Sequence, residues 1–599
     1  MDDFRLIAPV LIPLGTAFFV PVVRRISHSV RATICIAAML LTLAFLLSMA
    51  GPILDGQTLV YWMGGWQPRQ GLAVGISLSV DAWGLLIAVV VAVVGLFSLV
   101  YSTVYMRDQS GRGSYYLLTM LLIAGLIGFA LSGDLFNQFV WLEVLSIAAF
   151  ALTGFHVDDS RSIEAAFKYL VTNSVAAFFV VIGLILLYMQ TGALNLADIA
   201  AKFQFTPAGL VAIGLLIGGY ATKAALVPWH FWLPDAHAVA PSPTSALFSG
   251  ALIKVGVYAI GRSIFTLIPF PSGGVLQAAL LLLAAATMLL GGLQMVQQSS
   301  IKRILAFSSV SQMGYVLLGL ALGTPLGVAA AAMHLIHHAL VKSALFMSAG
   351  MVGWRTGIHD LHEGGDLYRR MPFTFLTMLL AGLALSGMPF FSGYISKTML
   401  EEAALAGSFG WLAWVAVLSS ALTFAGIARL IWHVFLAPAA ASRRGVQEAP
   451  PFGVLPGLAL TAVALLLGIF PQDVVQRVAW PAALALYQRD HYIAQVIEPS
   501  SLASLTEAEI HIEAAPDPFD WHHWLLPAVV LIGGGALTYW LIRPSAARPT
   551  IRWLRPLQVV AYYGRRWHSG LVSDYVLWNS FGTAVLMMAA LVAGRLGWL

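Results

Sequence analysis

The sequence predicts an all-α membrane protein of about sixteen transmembrane helices, with two inverted five-helix repeats that each contain a broken helix. Three observations carry that prediction. Of the 599 residues, 59% are hydrophobic and 10% charged, and mean hydropathy is +0.84, whereas soluble proteins carry about 25% charged residues. Apolar runs of roughly 20 residues, the length of a membrane-crossing helix, recur along the chain. Two of those runs, the seventh and the twelfth, are interrupted by proline or glycine beside a lysine, and a repeat unit of five spans must invert on duplication.

Composition also excludes. The single cysteine, Cys35, rules out a cysteine-ligated iron–sulfur cluster, a cysteine zinc site and an intrachain disulfide. Neither GxGxxG nor GxxxxGK[ST] occurs, so no nucleotide site, redox site, cofactor or metal is expected on this chain. The net charge of +5 is spread over short loops, which points to membrane topology and away from nucleic acid. The first apolar run, Leu6 to Val22, lacks a basic leader and reads as a retained helix.

The runs centre near Leu14, Met39, Val91, Ile123, Leu145, Phe179, Leu216, Val255, Leu282, Leu317, Leu340, Ala384, Leu418, Leu460, Ala528 and Met587. Loops after odd-numbered runs hold most of the bases, among them Arg24, Arg25, Arg107, Arg161, Arg303, Arg369, Arg370, Arg443 and Arg444. The positive-inside rule then puts both termini on the outer side of a prokaryotic cell membrane. The expected divisions are residues 1–113 as N-terminal helices, 114–270 and 271–440 as the two repeats, and 441–599 as C-terminal helices.

Within the fifth run Glu143 is the only carboxylate deep in an expected span: either one half of an ion pair with a buried lysine or a protonated, hydrogen-bonded acid. Glu164 and Lys168, four apart, suit either a snorkelling pair or an accessory proton carrier. Lys223 stands one turn before Pro228, which should break its helix. An intramembrane lysine costs about 2.5 to 3.5 kcal/mol on insertion scales, so Lys223 and Lys254 mark an ion or substrate path, with ion translocation the first hypothesis. His230, Asp235 and His237 read as residues of an interfacial loop. Ser308, Ser309, Ser311 and Gln312 either glue helices or wet a channel wall. His334, His338 and Lys342, at i, i+4 and i+8, share one helix face as a candidate relay, with His337 about 100° away. In LSGMPFFSGYISKTML, Gly387, Pro389 and Gly393 interrupt the second helix ahead of Lys397.

The stretch from Pro471 to Asp520 reads as an external loop carrying acids such as Glu507 and Glu509. Residues 543–573 interleave arginines with Trp553, Tyr562, Tyr563 and Trp567, which suits an interfacial helix at the headgroups or along a neighbouring subunit.

KAALVPWHFWLPDAHAVAPSPTSALFSGALIKVGVYAIGR, IKRILAFSSVSQMGYVLLGL, HLIHHALVKSALF, WLEVLS and GYISK together closely resemble a known family. It comprises the antiporter-like subunits shared by respiratory complex I (NADH:quinone oxidoreductase, L, M and N types), membrane-bound hydrogenases and Mrp-type sodium/proton antiporters (A and D types). The resemblance covers about Tyr115 to Glu402. It implies a fourteen-helix core and a proton-translocating subunit of a hetero-oligomeric membrane complex, in contact with lipid. It also implies that Glu143 pairs with Lys223 in a first half-channel, that Lys254 with His334, His338 and Lys342 links the halves, and that Lys397 ends the second. Lys254 in LIKVGVY looks like the D-type and hydrogenase-associated subunits, whereas the two extra spans resemble a shortened lateral helix of the largest complex I member. Alternatives within the family are a sodium/proton antiporter driven only by ion gradients and a membrane subunit for inorganic-carbon uptake.

Overall fold

The computed structural model describes residues 4–22, 27–69, 73–270, 274–438, 445–499, 502, 513–543 and 567–595. Hydrocarbon offers the backbone no hydrogen-bond partner, so apolar runs close their bonds as helices. The chain opens with α1 Ala8–Val22, α2 His28–Ser48, α3 Ala82–Tyr105, α4 Arg112–Leu131, α5 Leu135–Thr153 and α6 Ser160–Thr191. The first broken helix follows as α7 Pro207–Lys223 and α8 Trp232–Val239, then α9 Ser242–Leu267. Next come α10 Val275–Met295, α11 Ile301–Leu322 and α12 Pro325–Thr356. The second broken helix is α13 Pro372–Ser386 and α14 Ser392–Ala406, followed by α15 Trp411–Leu436 and α16 Pro451–Ile469. Two short helices, α17 Trp480–Tyr487 and α18 Arg489–Ile497, precede α19 Leu525–Ile542 and α20 Val572–Arg595. One two-stranded antiparallel hairpin, β1 Leu59–Trp62 with β2 Ser77–Val80, lies between α2 and α3.

Among the described residues fourteen helices are long and apolar enough to cross a membrane, and α7 and α13 are shorter apolar helices. All sixteen expected centres fall inside these elements. Side chains cap several starts: Asp81 accepts from Gly84 N at 3.0 Å, Asp134 from Asn137 N at 2.8 Å, and Thr206 and Thr324 each precede a first-turn proline.

Helices α9, α11 and α12 form the buried centre, and α10 packs closely on α11. A Cβ at Gly291 would fall 2.6 Å from Ser311 N, so this contact needs glycine. The breaks differ from expectation in detail. The first helix stops at Lys223, ahead of Pro228, with Ala225 at φ 54°. Gly387 (φ 83°) and Phe390 (φ 70°) turn the second break, whereas Gly393 sits inside α14. A side chain at Gly393 would fall 2.7 Å from the His337 ring, so this glycine serves close packing and not interruption.

The expected external loop is also partly folded. Between residues 471 and 499 the chain forms helices that lie back on α3, α9 and α12, with Trp480 and Tyr492 buried. Glu507 and Glu509, the bases at 24, 25, 443 and 444, and the basic stretch 544–566 lie outside the described residues. The helices flanking that stretch are separated: α19 packs on α15, and α20 on α6, α7 and α10.

Candidate functional site

The last residue of α7, Lys223, is buried and donates to Ser146 Oγ of α5 at 2.6 Å, with its ammonium 5.7 Å from the centre of the Tyr169 ring. Ser146 in turn donates to Leu142 O. Glu143, one turn before Ser146, acts electrostatically on Lys223 without forming a direct ion pair with it. The acid is half-buried, on a stripe of α5 whose other members, Phe136, Val140 and Ile147, are exposed.

The second lysine, Lys397, lies six positions after the break, because α14 begins at Ser392. It donates to Leu385 O at 2.9 Å and to Ser420 Oγ at 3.0 Å, and sits 4.9 Å from the Tyr315 ring centre. Ser420 is 2.8 Å from Tyr315 OH.

Between them lies a buried polar line. Lys254 Nζ is 2.7 Å from His338 Nδ1 and donates to Ser249 O at 2.6 Å. Ser249 Oγ is 2.7 Å from Ser309 Oγ, and Lys342 donates to Ser308 Oγ and Leu305 O, both at 2.5 Å. His334 stacks on Tyr315 at 5.3 Å, its ring centre lies 6.5 Å from that of His338, and its Nδ1 is 3.0 Å from Ser396 Oγ of α14. Helix α12 therefore presents His334, His338 and Lys342 as the i, i+4 spacing requires, each fully buried. The more weakly placed His337 is fully buried too and pairs with Ser392 Oγ at 3.0 Å, at the start of α14. Gln312 is peripheral, reaching Thr423 Oγ1 at 3.5 Å.

Residues 132–423 match the family model NADH:quinone oxidoreductase/Mrp antiporter, TM, and residues 66–116 match NADH-Ubiquinone oxidoreductase (complex I), chain 5 N-terminus. NADH-quinone oxidoreductase subunit N of Desulforudis audaxviator is 36% identical over 78% of this chain and 96% of its own length. The chain belongs to this family of proton- and ion-translocating membrane subunits. The D-type Na(+)/H(+) antiporter subunit of Alkalihalophilus pseudofirmus is 31% identical over 78% of this chain and 94% of its own. The structure of the Mrp complex from Dietzia sp. DQ12-45-1b aligns with TM-score 0.75 and 28% identity, covering 83% of this chain and all of that one (100%).

Two expectations for this antiporter-like subunit need correction. His230, Asp235 and His237 do not lie in an interfacial loop: all three are buried, the last two on α8, and His237 stacks on Phe346 at 4.4 Å. The proline-rich sequence hid a short buried helix whose polar side chains point into protein. Glu143 is also not alone: Glu401 of α14 is buried and acts electrostatically on Lys397, four residues earlier in KTMLE. That spacing was the available signal. Tyr315, Ser396 and Ser420 were missed because their partners come from other helices. Lys168 pairs with Glu164 at 2.5 Å and Asp235 at 3.6 Å, so the accessory candidate joins the buried α8. Among the described residues no group of three or more His, Cys, Asp or Glu could hold a metal ion.

Proposed function

We propose that the chain carries protons through two half-channels, one built on Lys223 with Glu143 and the other on Lys397, joined by Lys254, His338, His334 and Lys342. The observation that carries this reading is the buried chain of hydroxyl, imidazole and ammonium groups from Ser308 and Ser309 through Lys254 and His338 toward Tyr315, Ser420 and Lys397. A buried ammonium keeps its proton while an opposite charge offsets its desolvation, and releases it when that charge moves or is neutralised. At 4 Å and an effective dielectric of 20 the Coulomb term is about 4 kcal/mol, equivalent to roughly three pK units.

In this reading residues 114–270 and 271–440 are inverted repeats, α7 and α13 complete sixteen crossings, and both termini lie outside a prokaryotic cell membrane. The apolar, Glu143-bearing stripe of α5 needs cover, since an acid at membrane depth seeks a protein partner. A neighbouring subunit supplies it, as expected for a member of a multisubunit complex. Proton transport by the complex in sealed vesicles tests the proposal: Lys223→Ala should stop transport with assembly intact, and a wild-type rate would remove the half-channel. The resemblance to a D-type Na(+)/H(+) antiporter subunit supports a second reading, sodium exchange driven by gradients. Transport that needs sodium and no redox donor would select it.

A further inference from the structure

Asp235 gathers more partners than a structural pin on a short helix requires. Its side chain is 11% exposed, and Arg303 Nη1 donates to Oδ1 at 2.8 Å with His568 Nε2 3.2 Å from the same oxygen. Tyr575 donates its hydroxyl to Oδ2 at 3.3 Å, and Lys168 Nζ lies 3.6 Å from that oxygen. A carboxylate accepts about four hydrogen bonds, so these groups fill it. The planar guanidinium of Arg303 fixes one oxygen, whereas the flexible stem of Lys168 leaves its ammonium the movable partner.

Two of the partners come from the C-terminal segment, 333 and 340 positions further along the chain. Helix α20 covers the first break: Trp229 Nε1 donates to Asn579 O at 3.1 Å, and the Tyr575 ring stacks on Phe231 at 4.9 Å. A side chain at Gly582 would meet Trp229 at 2.7 Å, so this glycine permits the approach.

Lys168 is shared between two acids. Glu164, at 2.5 Å, is 62% exposed at its side chain; Asp235 is the inner one. Beside Lys168 in sequence is Tyr169, one turn before Asp235 is Trp232, and these two rings meet at 4.6 Å. Lys223 sits against the same Tyr169 ring. Asp235 and the first half-channel's lysine therefore flank one pair of touching rings, Trp232 on the acid's own helix and Tyr169 against Lys223, while the Lys168 ammonium faces the Tyr575 ring at 5.9 Å.

We propose that Asp235 is a positioning residue of the first half-channel: it draws the Lys168 ammonium from exposed Glu164 inward, to the helix whose Trp232 packs on the Tyr169 ring beside Lys223, and His568 and Tyr575 hold the carboxylate for that task. This rests on the half-channel reading above. Without the inner acid, Lys168 stays with Glu164 and Arg303 loses its buried counter-charge.

The test is proton transport by the whole complex in vesicles, with assembly read on native gels, for Asp235→Asn, Asp235→Glu, Tyr575→Phe and Lys223→Ala. Asp235→Asn is expected to slow transport about tenfold in an assembled complex, and Asp235→Glu to restore most of the rate, because charge and not shape is required. A wild-type rate for Asp235→Asn overturns the inference, as does an assembled Asp235→Glu as slow as the amide. If Asp235→Asn fails to assemble, Tyr575→Phe decides, since it keeps the stacked ring and removes only the hydroxyl. A slowing of about twofold sustains the inference and a wild-type rate overturns it. Normal transport by Lys223→Ala sinks the half-channel itself, whereas loss of transport in Lys223→Ala beside a normal Asp235→Asn sinks only the role of Asp235.

Discussion

The two broken helices solve one electrostatic problem with opposite halves. In the first, the lysine is the last residue of the leading half, α7; in the second, it stands in the trailing half, α14, and reaches back to Leu385 O near the end of α13. The Lys397 ammonium thus lies by the C-terminal end of a leading half-helix, the negative end of the helix dipole, and Lys223 is itself the last residue of one. Each also has one serine hydroxyl and one tyrosine ring. The difference lies in the acid. Glu401 is buried on the lysine's own helix, whereas Glu143 comes from another helix and shares an outward stripe. The second lysine is served from within the chain; the first depends on what covers α5.

The strongest break of this comparison removes the lysines. Lys223→Ala and Lys397→Ala should each slow vesicle proton transport by about a hundredfold or more, the usual scale for deleting an acid–base group, with the complex assembled. Sensitivity of only one of them would refute paired half-channels. Next in size is the link between halves: Lys254→Ala and His338→Ala should each cost about thirtyfold. Because the two groups form one 2.7 Å contact, the double variant should be little worse than either single one. Additive losses would place them on separate routes.

How much of this was legible follows the range of each signal. Apolar runs and the i, i+4 stripe on α12 are local: every expected run centre falls inside a helix, and His334, His338 and Lys342 share one buried face. The α8 residues were misplaced because proline marks a break without saying whether the following turn re-enters protein. Trp480 and Tyr492 read as loop residues because nothing local reveals that the helices between 471 and 499 fold back on α3, α9 and α12. Asp235 needed contacts to residues 568 and 575, which no spacing rule spans. Glu401 is different: its spacing was visible, but a glutamate near a helix end resembles a solvated one until burial is known.

The acids sharpen the comparison at intermediate size. Neither forms a direct ion pair with its lysine, so the coupling is weaker than the roughly 4 kcal/mol that contact gives at a dielectric of 20. Glu401→Gln should therefore slow transport by about tenfold, and Glu143→Gln similarly in the assembled complex. Moving the first acid one turn to Ile147 is not expected to rescue it, because Ile147 is 51% exposed and on the outward stripe. Recovery by Glu143→Gln with Ile147→Glu would mean that the covering subunit, not the chain's own Lys223, reads that charge.

The smallest effects come from the serines, and here the two sites should part. Ser146 Oγ is the hydrogen-bond acceptor of Lys223, and its own hydroxyl donates to Leu142 O, so Ser146→Ala leaves the ammonium with only Tyr169 and a distant acid. Lys397 has two acceptors, and Ser420→Ala leaves it Leu385 O at 2.9 Å. Hydrogen bonds to charged groups contribute about 1.5 to 3 kcal/mol, and a second acceptor offsets most of that loss. Ser146→Ala should thus slow transport about fivefold and Ser420→Ala about twofold, measured in the same vesicles. Equal losses would show that Ser420 matters through Tyr315 OH, 2.8 Å away, as a link in the relay and not as a rest for Lys397. Tyr315→Phe then separates the two roles: it removes that hydroxyl while keeping the ring against Lys397, so a loss matching Ser420→Ala assigns the serine to the relay.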